Sequence, residues 1–139
     1  MQTEYLERVM ALAEKLDDFP VATADAQGWP HIASTGAMSQ VSEERVALRE
    51  WFCPTTLENV QQNPNIAIVV WERKEDVGYQ LMGVVEQMND LALLDGYTEQ
   101  LGAPATTPQV ERELIVRVDR VLAFSRAPHM DTPLPAEQV

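Results

Sequence analysis

The run Ile66-Ala67-Ile68-Val69-Val70-Trp71 constrains the fold more than any other part of this sequence. Six apolar residues in succession put hydrophobic side chains on both faces of an extended chain, so the segment reads as a strand inside a sheet. It is far too short to cross a bilayer. Around it, Pro, Gly and Asn cut the chain into further short segments. Phe19 to Asp25 reads as a strand, Ala26-Gln27-Gly28-Trp29 as a turn, and Pro30 to about Ser39 as another strand. Arg45 to Phe52 alternates, with Val46, Leu48 and Phe52 on one face and Ala47, Arg49 and Trp51 on the other. Gly78 to about Met88 and Leu114 to Phe124 complete a set of six.

Helices are fewer. Leu6, Val9, Met10, Ala13 and Leu16 recur at helical spacing with Glu4, Glu7 and Glu14 opposite, which predicts a helix ending near Asp17-Asp18, before Pro20. Pro54 breaks the third strand, and Thr55-Thr56-Leu57-Glu58 has capping-box spacing, so a short helix should run to about Gln62 and stop at Asn63-Pro64. A third helix is expected from Leu91 to about Leu101, then a loop from Gly102 to Pro108. The segment from Ala127 has three prolines in thirteen residues and is expected to be extended or loosely ordered. Strands do not alternate with helices as a parallel sheet requires. The expected architecture is mainly β, an antiparallel sheet closed into a small barrel with helices outside it. Residues 1–126 form one domain in this reading, and 127–139 a proline-rich tail.

Charge and motif content narrow the function. The 139 residues carry 10 Lys+Arg against 22 Asp+Glu, a formal net charge of −12. Nucleic acid and anionic membrane surfaces are therefore poor partners, since both need a basic footprint. Cys53 is the single cysteine, which argues against a disulfide framework. Met1 to Asp18 is amphipathic and acidic rather than basic then apolar, so no signal peptide is expected and the cytoplasm is the expected location. No G-x-G-x-x-G, Walker A, H-E-x-x-H or G-x-S-x-G pattern occurs, and two histidines with one cysteine argue against a zinc site. His31 reads as a surface or turn residue, His129 lies in the tail, and Cys53 reads as a small apolar residue at a strand end.

Three segments in order carry a resemblance. They are Gly28-Trp29-Pro30-His31-Ile32-Ala33-Ser34-Thr35, then Thr55-Thr56-Leu57-Glu58-Asn59-Val60 running into Asn63-Pro64, and Gly78-Tyr79-Gln80-Leu81-Met82-Gly83. Together they resemble the pyridoxamine 5′-phosphate oxidase-like, FMN-binding split β-barrel family over about residues 5 to 125. The likeness is to its small single-domain, bacterial FMN-binding members. The resemblance implies a six-stranded antiparallel Greek-key split barrel with flanking α-helices. It also implies a homodimer with FMN held non-covalently in clefts at the subunit interface.

A helix N-terminus with hydroxyl residues suits a phosphate on physical grounds, through its N–H groups and dipole. The resemblance places the flavin phosphate there, at Thr55 and Thr56, with Asn59 in the same motif. It puts Ser34, Thr35 and Gly36 along the ribityl chain and ring, and Arg49 and Trp51 share a strand face that lines the same cleft. Many family members carry Lys or Arg where this chain has Thr55. Arg49, or one of Arg112, Arg117, Arg120 and Arg126, from this or a partner subunit, is then the candidate cation. Plainer readings stand beside these: a capping box at Thr55 to Glu58, solvent-facing hydroxyls at Ser34 and Thr35, a core or dimer contact at Trp51, and a bulge or close packing at Gly83.

The implied function is a flavoprotein oxidoreductase that passes electrons or a hydride through bound FMN, taking them from a small-molecule or protein donor. No side chain stands out as acid or base, so no catalytic residue is named. The alternative is a non-catalytic cofactor-binding or electron-carrier module on the same barrel, holding flavin, deazaflavin or haem. Haem would need His31 or His129 as its axial ligand.

Overall fold

A computed structural model describes residues 3–51, 54–94, 97–98, 103–104 and 109–134. Helix α1 (Thr3–Ala13) is followed by β1 (Phe19–Ala24), β2 (Pro30–Thr35), β3 (Met38–Gln40) and β4 (Arg45–Trp51). Then come α2 (Pro54–Gln62), β5 (Asn65–Glu72) and β6 (Val77–Leu94). The short β7 (Tyr97–Thr98) and β8 (Ala103–Pro104) precede β9 (Gln109–Arg126) and β10 (His129–Met130). Among the described residues, neither helix is long and apolar enough to cross a membrane.

Every strand pairing among the described residues is antiparallel. One sheet has the order β2-β1-β5-β6-β9-β4-β3, β10 adds to β9, and β7 with β8 forms a separate pair. In β5, Ile66, Ile68 and Val70 are buried while Ala67 and Val69 on the opposite face are half-buried, so one face meets the core and the other is only partly covered. The core joins these residues to Leu6 and Val9 of α1, Phe19 and Val21 of β1, Val46 and Leu48 of β4, Leu81 of β6, and Leu114, Val116 and Val121 of β9. Helix α1 touches β3, β5 and β6, so the sheet curls around it, and β2 at one edge comes into contact with β4 near the other.

The strand count differs from the expected six-stranded barrel: eight strands form one open sheet. The extended segment from Pro30 divides at Gly36-Ala37 into β2 and β3. Strands β6 and β9 are 18 residues each and pair along their whole length. Their register shifts at Met82/Gly83, Val85/Gln87 and Asp90/Ala92, and such irregularities bend a ribbon this long. At the first shift, a Cβ on Gly83 would run into the backbone carbonyl of Arg117, so close packing is the role of that glycine.

The helix expected over 91–101 does not form. Residues 91–94 continue β6 and 97–98 are β7, while 95–96 and 99–101 lie outside the described residues. Backbone pairing of Ala92 with Glu111 through Leu94 with Gln109 carries the strand on. The Arg112 guanidinium also donates to Asp90 Oδ1 at 2.7 Å across it. At the C-terminal end the chain turns at 127–128 and runs back along β9. Ala123 N donates to the Thr132 carbonyl at 2.9 Å, and Leu134 N to the Val121 carbonyl at 2.9 Å.

Candidate functional site

The β1–β2 hairpin builds one wall of the site. Asp25 Oδ1 accepts from the backbone N–H groups of Gln27 and Trp29 at 2.9 Å each, and Gly28 takes φ +89° in the turn. Glycine adopts that conformation without a Cβ penalty. The register pairs Phe19 with Thr35, Val21 with Ala33, and Thr23 with His31, and directly opposed residues share a face. Phe19 and Val21 belong to the core, so Thr35, Ala33, Thr23 and His31 face inward. Pro20, Ala22, Ile32 and Ser34 face the other way, and Ile32 is 71% exposed.

Helix α2 covers part of this inward face. Its buried residues are Thr56, Asn59 and Val60, and it touches β1 and β2. Asn59 Nδ2 donates to Thr23 Oγ1 at 3.1 Å in a buried contact. The helix begins at Pro54, whose missing N–H and fixed φ suit a first helical position. Thr55 and Thr56 are therefore inside the first turn and not at the cap, which corrects the capping-box reading. N–H groups of a first helical turn have no partner within the helix, and the dipole adds positive potential there.

Two buried polar atoms on the inward face of β2 have no hydrogen-bond partner among the described residues, Thr35 Oγ1 and His31 Nδ1. Thr35 is only 1% exposed. An unsatisfied buried donor or acceptor costs about 1–3 kcal/mol. The two lie on the same face of β2, four residues apart, and so mark two separate points along the strand.

The structure brings Asn59 of α2 onto Thr23, opposite His31, with Thr56 buried on the same helix, and sets Thr35 on the same inward face of β2, four residues from His31 and opposite Phe19. It does not bring Ser34 to them, because successive strand residues point to opposite faces. Ser34 and Gly36 are exposed, and so is Thr55. Arg49 lies on the side of β4 away from Val46 and Leu48, exposed, with its guanidinium 3.8 Å from the Glu111 carboxylate. It shares no face with Thr35. The Trp51 side chain and Cys53 lie outside the described residues. Arg112 is paired with Asp90, and Arg117 bridges Glu86 and Asp119. Hydrogen bonding from Arg45, with the charges of Arg45 and Arg117, holds the Glu86 carboxyl below its ordinary range against the opposing effect of desolvation. Arg120 donates to Met82 Sδ at 3.6 Å.

His31, which the sequence offered only as a haem ligand, and Thr23, which it did not single out, both face inward at this end of the hairpin. His31 is half-buried and faces inward, where a surface or turn place was expected. The available signal was the alternation Phe19, Val21, Thr23, which sets a polar residue at a third core-facing position.

Residues 6–123 match the family model described as pyridoxamine 5′-phosphate oxidase. The chain belongs to that family. No curated protein matches it. Among solved structures it is similar to a Clostridium acetobutylicum protein related to general stress protein 26 of Bacillus subtilis, of the pyridoxinephosphate oxidase family. That pair has a TM-score of 0.63 and 14% identity, covering 96% of this chain and 97% of that one. It is similar to an FMN-binding protein from Syntrophomonas wolfei, with a TM-score of 0.58 and 16% identity over 89% and 94% of the two chains. It is also similar to HutZ, the heme storage protein from Vibrio cholerae, with a TM-score of 0.55 and 13% identity over 90% and 97%. These likenesses show the shared fold.

Proposed function

We infer that the chain is a cytoplasmic flavoprotein that binds FMN non-covalently as a homodimer and takes electrons from a small-molecule or protein donor. The observation that carries this reading is the buried, unpartnered Thr35 Oγ1 on the face of β2 that packs toward α2. The donor set fits the cofactor. Thr35 and Thr56 supply hydroxyls, the first turn of α2 supplies N–H groups and positive potential for a phosphate, and His31 Nδ1 is a further polar contact. Asn59 is spent on Thr23 and acts by fixing α2 over the hairpin. Ser34, Gly36, Thr55 and Arg49 are exposed, and in this reading they line a cleft that a second subunit closes. FMN, when bound, supplies the electron and hydride chemistry.

Family membership and the FMN-binding relative support the flavin. The carrier alternative draws support from the kind of side chains offered for the cofactor. The hydroxyls of Thr35 and Thr56 hold a group by hydrogen bonds and do not exchange protons near neutral pH. A visible absorption spectrum of the freshly purified protein, with mass spectrometry of what denaturation releases, tests the reading. A flavin spectrum and the FMN mass are expected. Colourless protein that takes up no added FMN overturns it, and a haem spectrum lost on His31→Ala would replace flavin with haem. Turnover of a reduced nicotinamide by the loaded protein separates oxidoreductase from carrier.

A further inference from the structure

A cavity lies where the β5–β6 and β9–β10 hairpins meet. In the sheet Trp71 of β5 is opposite Gly78 of β6, which is opposite Phe124 of β9. A Cβ on Gly78 would come within 2.8 Å of the Trp71 ring, so the bare glycine lets the two aromatic rings meet above it. Their centroids are 5.5 Å apart, edge to face at 72°. Ser125, Arg126, His129, Met130 and Asp131 complete a cavity of about 370 Å³, within the range of small-ligand sites.

Asp76 fixes these walls from behind. Its Oδ1 accepts from the Trp71 indole N–H at 2.9 Å and from Arg126 N at 2.8 Å. Its Oδ2 accepts from Ala127 N at 2.8 Å. One carboxylate thus ties the tryptophan to the turn at Arg126–Ala127, fifty residues on from Asp76 itself. The guanidinium groups of Arg73 and Arg126 sit 5.5 and 5.8 Å from the Trp71 ring centroid. Among the described residues neither pairs with a carboxylate. A guanidinium in the lining, at Arg126, beside aromatic and thioether walls stands out in a chain of net charge −12. Asp131 is the one acidic group in the lining, and it is exposed.

We propose that this cavity binds a flat aromatic anion, such as an aromatic carboxylate, and that Asp76 is the positioning residue that keeps its walls in place. The ring of the ligand lies against Phe124 and Met130, and its anionic group takes the Arg126 guanidinium, with His129 at the rim. Charge-assisted bonds to a planar guanidinium suit a carboxylate. The site is separate from the face between β2 and α2, so it does not depend on the flavin reading.

The test is titration of the ¹⁵N-labelled full chain, with and without FMN, using 2-naphthoate and the neutral 2-naphthalenemethanol. The readout is the indole N–H signal of Trp71, identified by its loss in Trp71→Phe. A saturable shift with naphthoate is expected, at least about tenfold weaker with the neutral analogue and in Arg126→Gln. Asp76→Asn should also weaken it. Arg126 is exposed, so its variant remains informative even if Asp76→Asn fails to fold. No saturable shift, equal affinity for the neutral analogue, or an unaffected Arg126→Gln overturns the proposal. Displacement of naphthoate by FMN would also overturn it, since the cavity would then belong to the flavin.

Discussion

Asn59 reaches across from α2 to donate its side-chain amide to the hydroxyl oxygen of Thr23 at 3.1 Å, with both residues buried. This one bond seats the helix on the β1–β2 hairpin, because neither partner has water to replace the other. Asn59→Ala leaves the Thr23 hydroxyl without its donor and is expected to cost about 2 kcal/mol. Urea denaturation of wild type and variant measures it. Removing both partners with Thr23→Val and Asn59→Leu should recover part of the loss, a coupling a double-mutant cycle reads directly.

Residues that owe their state to nearby neighbours are the legible part of this fold. Ile66 to Val70 is a strand because its apolar pattern admits little else. Helix α1 follows from the spacing of Leu6, Val9 and Ala13, although it ends at Ala13 and not near Asp17-Asp18, because the chain tightens into i→i−3 turns at Lys15 and Leu16; Pro54 and Asn63-Pro64 bracket α2. The segment from Leu91 is ambiguous by itself, because Leu91, Leu93 and Leu94 also suit a helix. What decides for strand is pairing with Gln109 to Arg112, together with the Asp90–Arg112 bridge, and nothing within the segment reports those partners.

Thr35→Val tests the orphaned hydroxyl. The two side chains are nearly the same shape, so the substitution removes a buried polar group without leaving a cavity. The cofactor-free protein should gain about 1 kcal/mol of stability, while FMN affinity falls roughly tenfold. Denaturation midpoints and flavin fluorescence titration report the two effects separately. A variant with unchanged FMN affinity would show that the hydroxyl makes no cofactor contact.

Hydroxyl and amide types around the site are visible in the sequence at Thr35, Thr56 and Asn59, but which of them share a surface is not. Ser34 and Thr35 are neighbours in sequence and point to opposite faces. Arg49 and Thr35 sit on different sides of their strands. His31 becomes a half-buried polar residue only when β1 and its neighbours are in place, so its role is a tertiary fact that no local pattern contains.

The glycines make an ordered prediction. Gly28 is at φ +89° with no atom within 4 Å of where a Cβ would stand, whereas a Cβ at Gly83 meets the Arg117 carbonyl. Gly28→Ala should cost about 1 kcal/mol, the penalty of placing an ordinary residue in a left-handed conformation. Gly83→Ala should cost more, because β6 and β9 must separate at their register shift. Thermal denaturation of the two variants should rank them in that order.

Acid should loosen the hairpin junction through Asp76. The backbone N–H of Arg126, together with the Trp71 indole and the Ala127 N–H, holds its carboxyl below the ordinary range, and desolvation only partly opposes them. A carboxyl depressed in the folded state adds stability at any pH above its unfolded value, and that contribution fades as the pH falls through the folded one. Wild-type protein should therefore lose stability on acidification below about pH 4. Asp76→Asn should be less stable at neutral pH and show a shallower acid limb, while Glu86→Gln, which alters a different depressed carboxyl, leaves the Trp71 fluorescence change on acidification in place. Denaturant titrations at a series of pH values, followed by tryptophan emission, measure both. An acid limb of unchanged steepness in Asp76→Asn would show that Trp71 and the Arg126–Ala127 turn are held together by something other than this carboxylate.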